Sequence, residues 1–495
     1  MHAVHRAALA AAAALAIPSG AGAGSTPTSP TATAISTATA TPTPTATAAV
    51  AAAPGPAEPT DDPVLSRLLS ESLAARPELK QAEAEAIAER ERAPQAEALP
   101  DPVLSLGIQN DGFDGIQIGK METSYYLIML TQPLPWPGKR GLRADVSRLG
   151  ASRVEAGLTR ARLSAEADVR RAYLGLLLAR DRLALLGRLE LIWRQSAGVA
   201  RARYETGEGA QSDVLRAQLE QNRLRQRRWS LEAEARAWTQ TLNRLRGRPL
   251  EEEIATARSV RDLRLPALDA PGAAVADALA RSPELAAARL GEAQAEKASA
   301  LARRDRYPDF TVSAGLMPRG SLVPMWQATV GVTLPIWGRQ ASAAAEAKAR
   351  ATAGARGAEA VDQVVRLRAE ERRLALATLL DALRLYREGL LVQSQATSES
   401  TLAQYRVGKV TFASVLEANA VLVADEDGYL QALADAQRLA IAAAEVSLDP
   451  AVVAGGGTGG ASVPGAGAVR SAGGGAAPSG GGAAAPDASS SMNSM

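Results

Sequence analysis

Apolar residues recur every three to four positions through two long stretches of the chain. Val169, Tyr173, Leu176, Leu177, Leu183, Leu186 and Leu189 mark the first, and Val361, Val364, Val365, Leu379, Leu380, Leu383, Tyr386 and Leu390 the second. That spacing lines one face of an α-helix. No proline occurs from Gly138 to Arg248 or from Ile336 to Asp449, and both stretches are rich in Ala, Leu, Glu, Gln and Arg, the strong helix formers. A helix from Gly138 to about Tyr204 would be about 100 Å long. A helix of that length needs partners along its whole course, so helix-on-helix packing is predicted.

Between the helices the period changes to two. Leu104, Leu106 and Ile108 alternate with Ser105, Gly107 and Gln109; Phe310, Val312, Ala314 and Leu316 alternate with Thr311, Ser313 and Gly315. Trp326, Ala328, Val330, Val332 and Leu334 alternate with Gln327, Thr329, Gly331 and Thr333, while Ser124–Leu134 is more continuously apolar. Each segment is about 9–11 residues, the length of a tilted membrane-spanning strand. One face is apolar and the other is small and uncharged, which suits lipid on one side and a watery lumen on the other. Trp136 and Trp337 follow the second and fourth strands, and Trp326 sits on an apolar strand face; all three are candidate membrane-interface aromatics. Four strands cannot close a barrel, and an open edge in lipid leaves backbone groups unpaired. Strands that span a membrane here therefore require several chains to share one barrel.

The whole pattern occurs twice. Arg76-Pro77-Glu78-Leu79 matches Ser282-Pro283-Glu284-Leu285; Leu99-Pro100-Asp101 matches Tyr307-Pro308-Asp309; Leu134-Pro135-Trp136-Pro137-Gly138-Lys139 matches Leu334-Pro335-Ile336-Trp337-Gly338-Arg339. Tyr204-Glu205-Thr206-Gly207 with Val214, Leu215 and Ala217 matches Tyr405-Arg406-Val407-Gly408 with Val415, Leu416 and Ala418. The order in each copy is helix, two strands, long helix, glycine turn, long helix. The repeats are placed at 61–250 and 266–450, joined by a linker at 251–265. Gly207 and Gly408 stand where one long helix stops, and Ser212-Asp213 and Thr411 offer N-cap chemistry for the next, which makes each pair an antiparallel hairpin.

The ends differ from the middle. Residues 1–23 carry a basic start, an apolar run from Ala7 to Ile17 and the small residues Ala21-Gly22-Ala23, the form of a secretory signal peptide. Residues 24–60 are Thr, Pro and Ala, and 451–495 are Gly, Ala and Ser; both compositions predict disordered segments. No later run is long and apolar enough for a membrane-spanning helix.

Composition then removes classes of function. Of 495 residues none is Cys, and the two histidines, His2 and His5, fall in the leader. A mature chain without Cys or His lacks the usual ligands and bases for zinc, haem, iron–sulfur, disulfide or His-dependent chemistry. No cofactor is expected, and neither a phosphate loop nor a nucleophile elbow is present, so an enzyme is not predicted. Lys plus Arg is 55 against 53 Asp plus Glu, a net charge of +2, which argues against nucleic acid as a partner. Met121, Met129, Met317 and Met325 lie in or near strands, where packing is the expected role.

The duplicated unit, the strand-pair and helix-hairpin order, and the repeated Tyr-x-x-Gly then Val-Leu-x-Ala signature resemble the TolC family of outer-membrane efflux ducts over 61–450. Gln132-Pro-Leu-Pro-Trp-Pro-Gly-Lys139 is similar to the branch found with heavy-metal (CzcC-type) efflux systems. The resemblance implies a mostly α fold with a small transmembrane β part: a long helical hairpin barrel in the periplasm below a β-barrel shared by a homotrimer, four strands per chain and twelve in all. It implies outer-membrane lipid around the barrel, a periplasmic adaptor (membrane fusion) protein and an inner-membrane pump of the RND type as partners, and passive conduction of cargo, with metal cations as one candidate. By position, Asp213 and Glu417 stand where the family narrows its periplasmic aperture with acids, and Tyr204, Gly207, Tyr405 and Gly408 mark the turns expected to meet the adaptor. Ser414 departs from relatives that carry an acid there, and no cysteine follows the leader to carry a lipid anchor. The competing reading is an exported coiled-coil structural or adhesin-like protein, which explains the helices but not the matched strand pairs.

Overall fold

The computed structural model describes residues 62–450; the expected leader, spacer and tail lie outside them. The first repeat runs α1 (Pro63–Ala75), α2 (Pro77–Glu97), β1 (Val103–Gln109), β2 (Tyr125–Leu134), α3 (Lys139–Glu205) and α4 (Gln211–Leu245). The second runs α5 (Ala273–Arg281), α6 (Pro283–Arg304), β3 (Phe310–Arg319), β4 (Leu322–Val332), α7 (Arg339–Leu385), α8 (Leu391–Arg406) and α9 (Phe412–Glu445).

Two details depart from the sequence expectation. The opening helix of each repeat is two helices, broken at Arg76-Pro77 and Ser282-Pro283. A residue before proline is driven out of the α region, and Arg76 sits at ψ 118° and Ser282 at ψ 114°. The second long helix is also divided, by a π turn over Tyr386–Leu390, whereas α3 runs unbroken for 67 residues. Opposite that turn, a Cβ on Gly428 would lie 2.6 Å from the Tyr386 hydroxyl. The tyrosine thus occupies the space a side chain would take, and the extra residue of the wider turn accommodates it.

The core runs between α3, α4 and α9. Leu176, Leu177, Leu242, Leu430 and Leu433 are buried together there, with Ala172, Ala434 and Ala436 letting the helices approach closely. Each such leucine contributes about 1.5–3 kcal/mol. The buried Glu445 at the end of α9 pairs with Arg160 (2.9 Å) and Arg171 of α3, tying the end of the second repeat to the first. The apolar stripe of the second repeat is less covered: Val365, Leu379 and Leu383 are buried, but Val364 is exposed.

The strands form one antiparallel sheet in the order β1-β2-β3-β4. The register puts Leu106 opposite Ile128, Ile128 opposite Leu316 and Leu316 opposite Trp326. Most apolar residues of β1, β3 and β4 therefore share one face with Tyr126, Ile128 and Leu130 of β2, while Leu127 and Met129 of β2 fall on the other, which is why its sequence alternates poorly. The opposite face carries Ser105, Thr131, Ser313 and Thr329, with Thr131 and Ser313 hydrogen-bonded at 2.9 Å. β1 and β4 each keep one edge unpaired within the chain. β4 begins earlier than the alternation suggested and includes Pro324, which an edge strand tolerates.

Sheet and helices meet at a joint built from both repeats. Lys139, the first residue of α3, is buried, and its ammonium donates to the Tyr307 carbonyl (2.8 Å) and to Asp309 (2.9 Å). Asp309 also accepts the Trp136 N–H at 2.8 Å. The Trp136 ring stacks on Tyr307 and Phe310 at 5.2 and 5.6 Å. Replacing Lys139 with Met would leave the Tyr307 carbonyl without its side-chain donor and Asp309 with the Trp136 N–H alone. The expected cost is about 2–3 kcal/mol, read as earlier thermal loss of sheet structure and faster proteolysis between β2 and α3.

Candidate functional site

The distal ends of the two hairpins form the site. α3 ends at Glu205, and Gly207 follows at φ +79°; α8 ends at Arg406, and Gly408 follows at φ +74°. The Gly207 N–H donates to the Tyr204 carbonyl (3.0 Å) and the Glu208 N–H to that of Arg203 (2.9 Å). In the second turn Gly408 donates to Tyr405 and Lys409 to Gln404, each at 3.0 Å. Both are Schellman motifs, which satisfy the last helical carbonyls through a left-handed residue where any Cβ is strained.

The next helices start differently. Thr411 caps α9 by accepting the Ser414 N–H at 3.4 Å. The N-cap of α4 is Ala210, with no side-chain cap, so Ser212 and Asp213 do not cap as the sequence suggested. Asp213 lies in the first turn, where its charge complements the helix dipole. Its carboxylate instead accepts the Tyr405 hydroxyl at 3.2 Å.

The two signature tyrosines have opposite fates. Tyr204 is 46% exposed, and Tyr405 is 2% exposed, packed on Phe412 at 5.3 Å. Burial, then the neighbouring Asp213 carboxylate, pushes the Tyr405 phenol up to about 12. Arg203 completes the arrangement. It donates to the Tyr405 carbonyl (2.8 Å) and the Glu208 carbonyl (3.3 Å), with its guanidinium 5.0 Å from the centre of the Tyr405 ring. A Cβ at Gly408 would come within 3.2 Å of that guanidinium. One arginine of the first repeat thus holds the turn of the second. Sequence reading missed it because an arginine in a last helical turn has an ordinary role at the dipole; only the fold brings Tyr405 beneath it. Arg203, Asp213, Arg216, Tyr405 and Phe412 line a cleft of about 380 Å³ between the turns.

Glu417 is exposed on α9 and borders a separate groove of about 460 Å³ with Thr397, Thr401, Ser414 and Asp425. One chain therefore does not bring Asp213 and Glu417 together. The tryptophans also divide: Trp136 is packed in the joint, whereas Trp326 and Trp337 are 76% and 88% exposed. Among the described residues no group of three or more Asp, Glu, His or Cys is placed to hold a metal ion, and no helix is long and apolar enough to cross a membrane.

The profile of the outer membrane efflux protein family matches residues 68–248 and 274–448. The chain belongs to that family, whose members are outer-membrane channels rather than enzymes. No curated protein matches the sequence. Among solved structures it is similar to the outer-membrane channel OprN (24% identity, 78% of this chain and 90% of that one, TM-score 0.66). It is also similar to CusC (19%, 78% and 92%, 0.67) and to VceC of Vibrio cholerae (16%, 77% and 95%, 0.64). These likenesses establish the TolC-like fold, mostly helical with a small antiparallel sheet.

Tyr405→Phe should weaken the tip by about 1 kcal/mol. Paired with Asp213→Asn in a double-mutant cycle on tip hydrogen exchange, it should show coupling between the two positions. The sign with pH follows from the raised phenol value. The contribution is complete below the ordinary tyrosine pKa of about 10 and is lost as pH rises toward 12, so tip exchange protection attributable to this bond should be flat from about pH 6 to 9.

Proposed function

We propose that this protein is the exit duct of a tripartite efflux system. Three copies share a twelve-stranded barrel, their helical hairpins continue it as a periplasmic tunnel, and the hairpin turns meet a periplasmic adaptor served by an inner-membrane pump of the RND type. The carrying observation is the sheet: one face apolar, the other mixing small polar residues with Leu127 and Met129 and uncharged short of Arg319 at the end of β3, and both edges unpaired within the chain. Such a sheet is stable in lipid only when copies close it.

The tip reading follows from the two turns. Tyr405 tied to Asp213 and clasped by Arg203 holds the hairpins of one chain together at their ends. Parting these contacts widens the aperture, and an adaptor that binds the turns at 204–209 and 405–410 is placed to part them. Glu417 repeated around the mouth would favour cations. Metal cations are the cargo we favour, on the similarity of the Gln132–Lys139 run to CzcC-type ducts and on Glu417 and Asp425 of α9 lining one groove.

Neutralising both Asp213 and Glu417 should raise the leak of single channels and lower their cation preference; unchanged conductance and selectivity would remove the aperture role. Replacing Gly207 or Gly408 with a β-branched residue should abolish efflux while the barrel still assembles. Normal efflux in those variants would show that the turns do not dock the adaptor.

A further inference from the structure

The strand registers show the internal repeat to be geometrically strict. Shifting β1 by 208 positions and β2 by 200 turns the β1–β2 pairing into the β3–β4 pairing: Val103 opposite Thr131 becomes Thr311 opposite Gly331, and Leu106 opposite Ile128 becomes Ala314 opposite Ala328. The same two shifts can be applied to the contact between the repeats. There β2 pairs with β3, Gln132 opposite Val312 and Leu130 opposite Ala314. Shifted, this contact joins β4 to β1. Those are the two edges left open within one chain, so the partner is a second copy.

The joint beside that pairing shifts with it. Lys139 becomes Arg339, and its partner Asp309 becomes Asp101. The secondary acid Asp305, 3.6 Å from Lys139, becomes Glu97, which already pairs with Arg148 within the chain. The stacked pair Trp136 and Tyr307 becomes Ile336 and Leu99. An aromatic pair is exchanged for an aliphatic pair, and a Lys–Asp pair for an Arg–Asp pair, so complementarity survives at both places. In the chain the shifted residues are uncovered. Ile336 is 69% exposed, Leu99 is 45% exposed, and Arg339 and Asp101 are exposed and form no ion pair among the described residues. Their counterparts Lys139 and Trp136 are packed.

We infer that neighbouring copies join by repeating this internal contact, with β4 against β1 of the next chain in a defined register and Arg339 paired to Asp101. Val332 then faces Leu104, Val330 faces Leu106, and Ala328 faces Ile108. Every one of these pairs keeps apolar residues on the shared apolar face, and Thr329 meets Gly107 on the uncharged face. Arg339 and Ile336 form the same wedge between chains that Lys139 and Trp136 form within one. A one-residue slip would turn one strand's apolar side to the lumen. The inference rests on the shared-barrel reading and adds its register and its ion pair.

The absence of cysteine from all 495 residues makes the test clean. The full chain carrying L106C and V330C is purified from outer membranes in detergent and oxidised. Directly opposed positions lie within disulfide reach, about 4.5–5.5 Å between Cα atoms, and diagonal ones do not. L106C/V330C should give covalent multimers on a denaturing gel, and L104C/V330C, two residues out of register, should remain monomeric. Independently, R339D should lower the temperature at which the oligomer dissociates, and R339D/D101R should recover it. Cross-linking only in the displaced pair, or an R339D oligomer as heat-resistant as the parent, would overturn the inference while leaving the shared barrel standing. A parent that is monomeric by light scattering would instead overturn the shared barrel itself.

Discussion

The constraint on which the rest depends is the open sheet edge. Backbone N–H and C=O groups cannot remain unpaired in hydrocarbon, and β1 and β4 each present such a row. A chain with four strands meets this demand only by joining edge to edge with other chains. The joint that carries the sheet into the helices is shaped by the same demand. Lys139 and Trp136 close the seam between the repeats inside the chain, and Arg339 and Ile336 remain uncovered at the matching place. In the proposed shared barrel, repetition is how a short strand set becomes a closed wall.

The long helices carry the chain away from that wall to a tip where the two repeats are no longer alike. Both turns keep the same Schellman geometry. Tyr405 is buried under Arg203 and bonded to Asp213, while Tyr204 is exposed. The first hairpin therefore serves as the support on which the second is latched. The π turn at Tyr386–Leu390 adds to the asymmetry, since only the second repeat's helix is interrupted. The polar contacts at the tip are weaker per residue than the leucine and alanine packing higher up between α3 and α9.

Much of this was legible in the sequence, and the physical reason differs from element to element. The unbroken α3 follows from helical spacing and the lack of proline, and the two-residue period of β1, β3 and β4 exposed their faces directly. Gly207 and Gly408 were readable because a helix stop needs a left-handed residue. What was not legible depends on residues far apart in the chain. Asp213 read as a cap because its type and position fit one, yet α4 starts earlier and the carboxylate turns to Tyr405. Arg203 had no local mark. The π turn depends on Tyr386 lying over Gly428, and nothing near residue 386 announces that. Trp136 and Trp337 occupy similar places in the sequence, but only the packing of one repeat on the next separates the half-buried, stacked ring from the exposed one.

The most direct test of the shared barrel is the detergent-corrected mass of the full-length protein recovered from the outer-membrane fraction. The account predicts a particle of three chains in that fraction. A soluble monomer or dimer recovered from the periplasm would contradict it, because the four strands would then not lie in lipid.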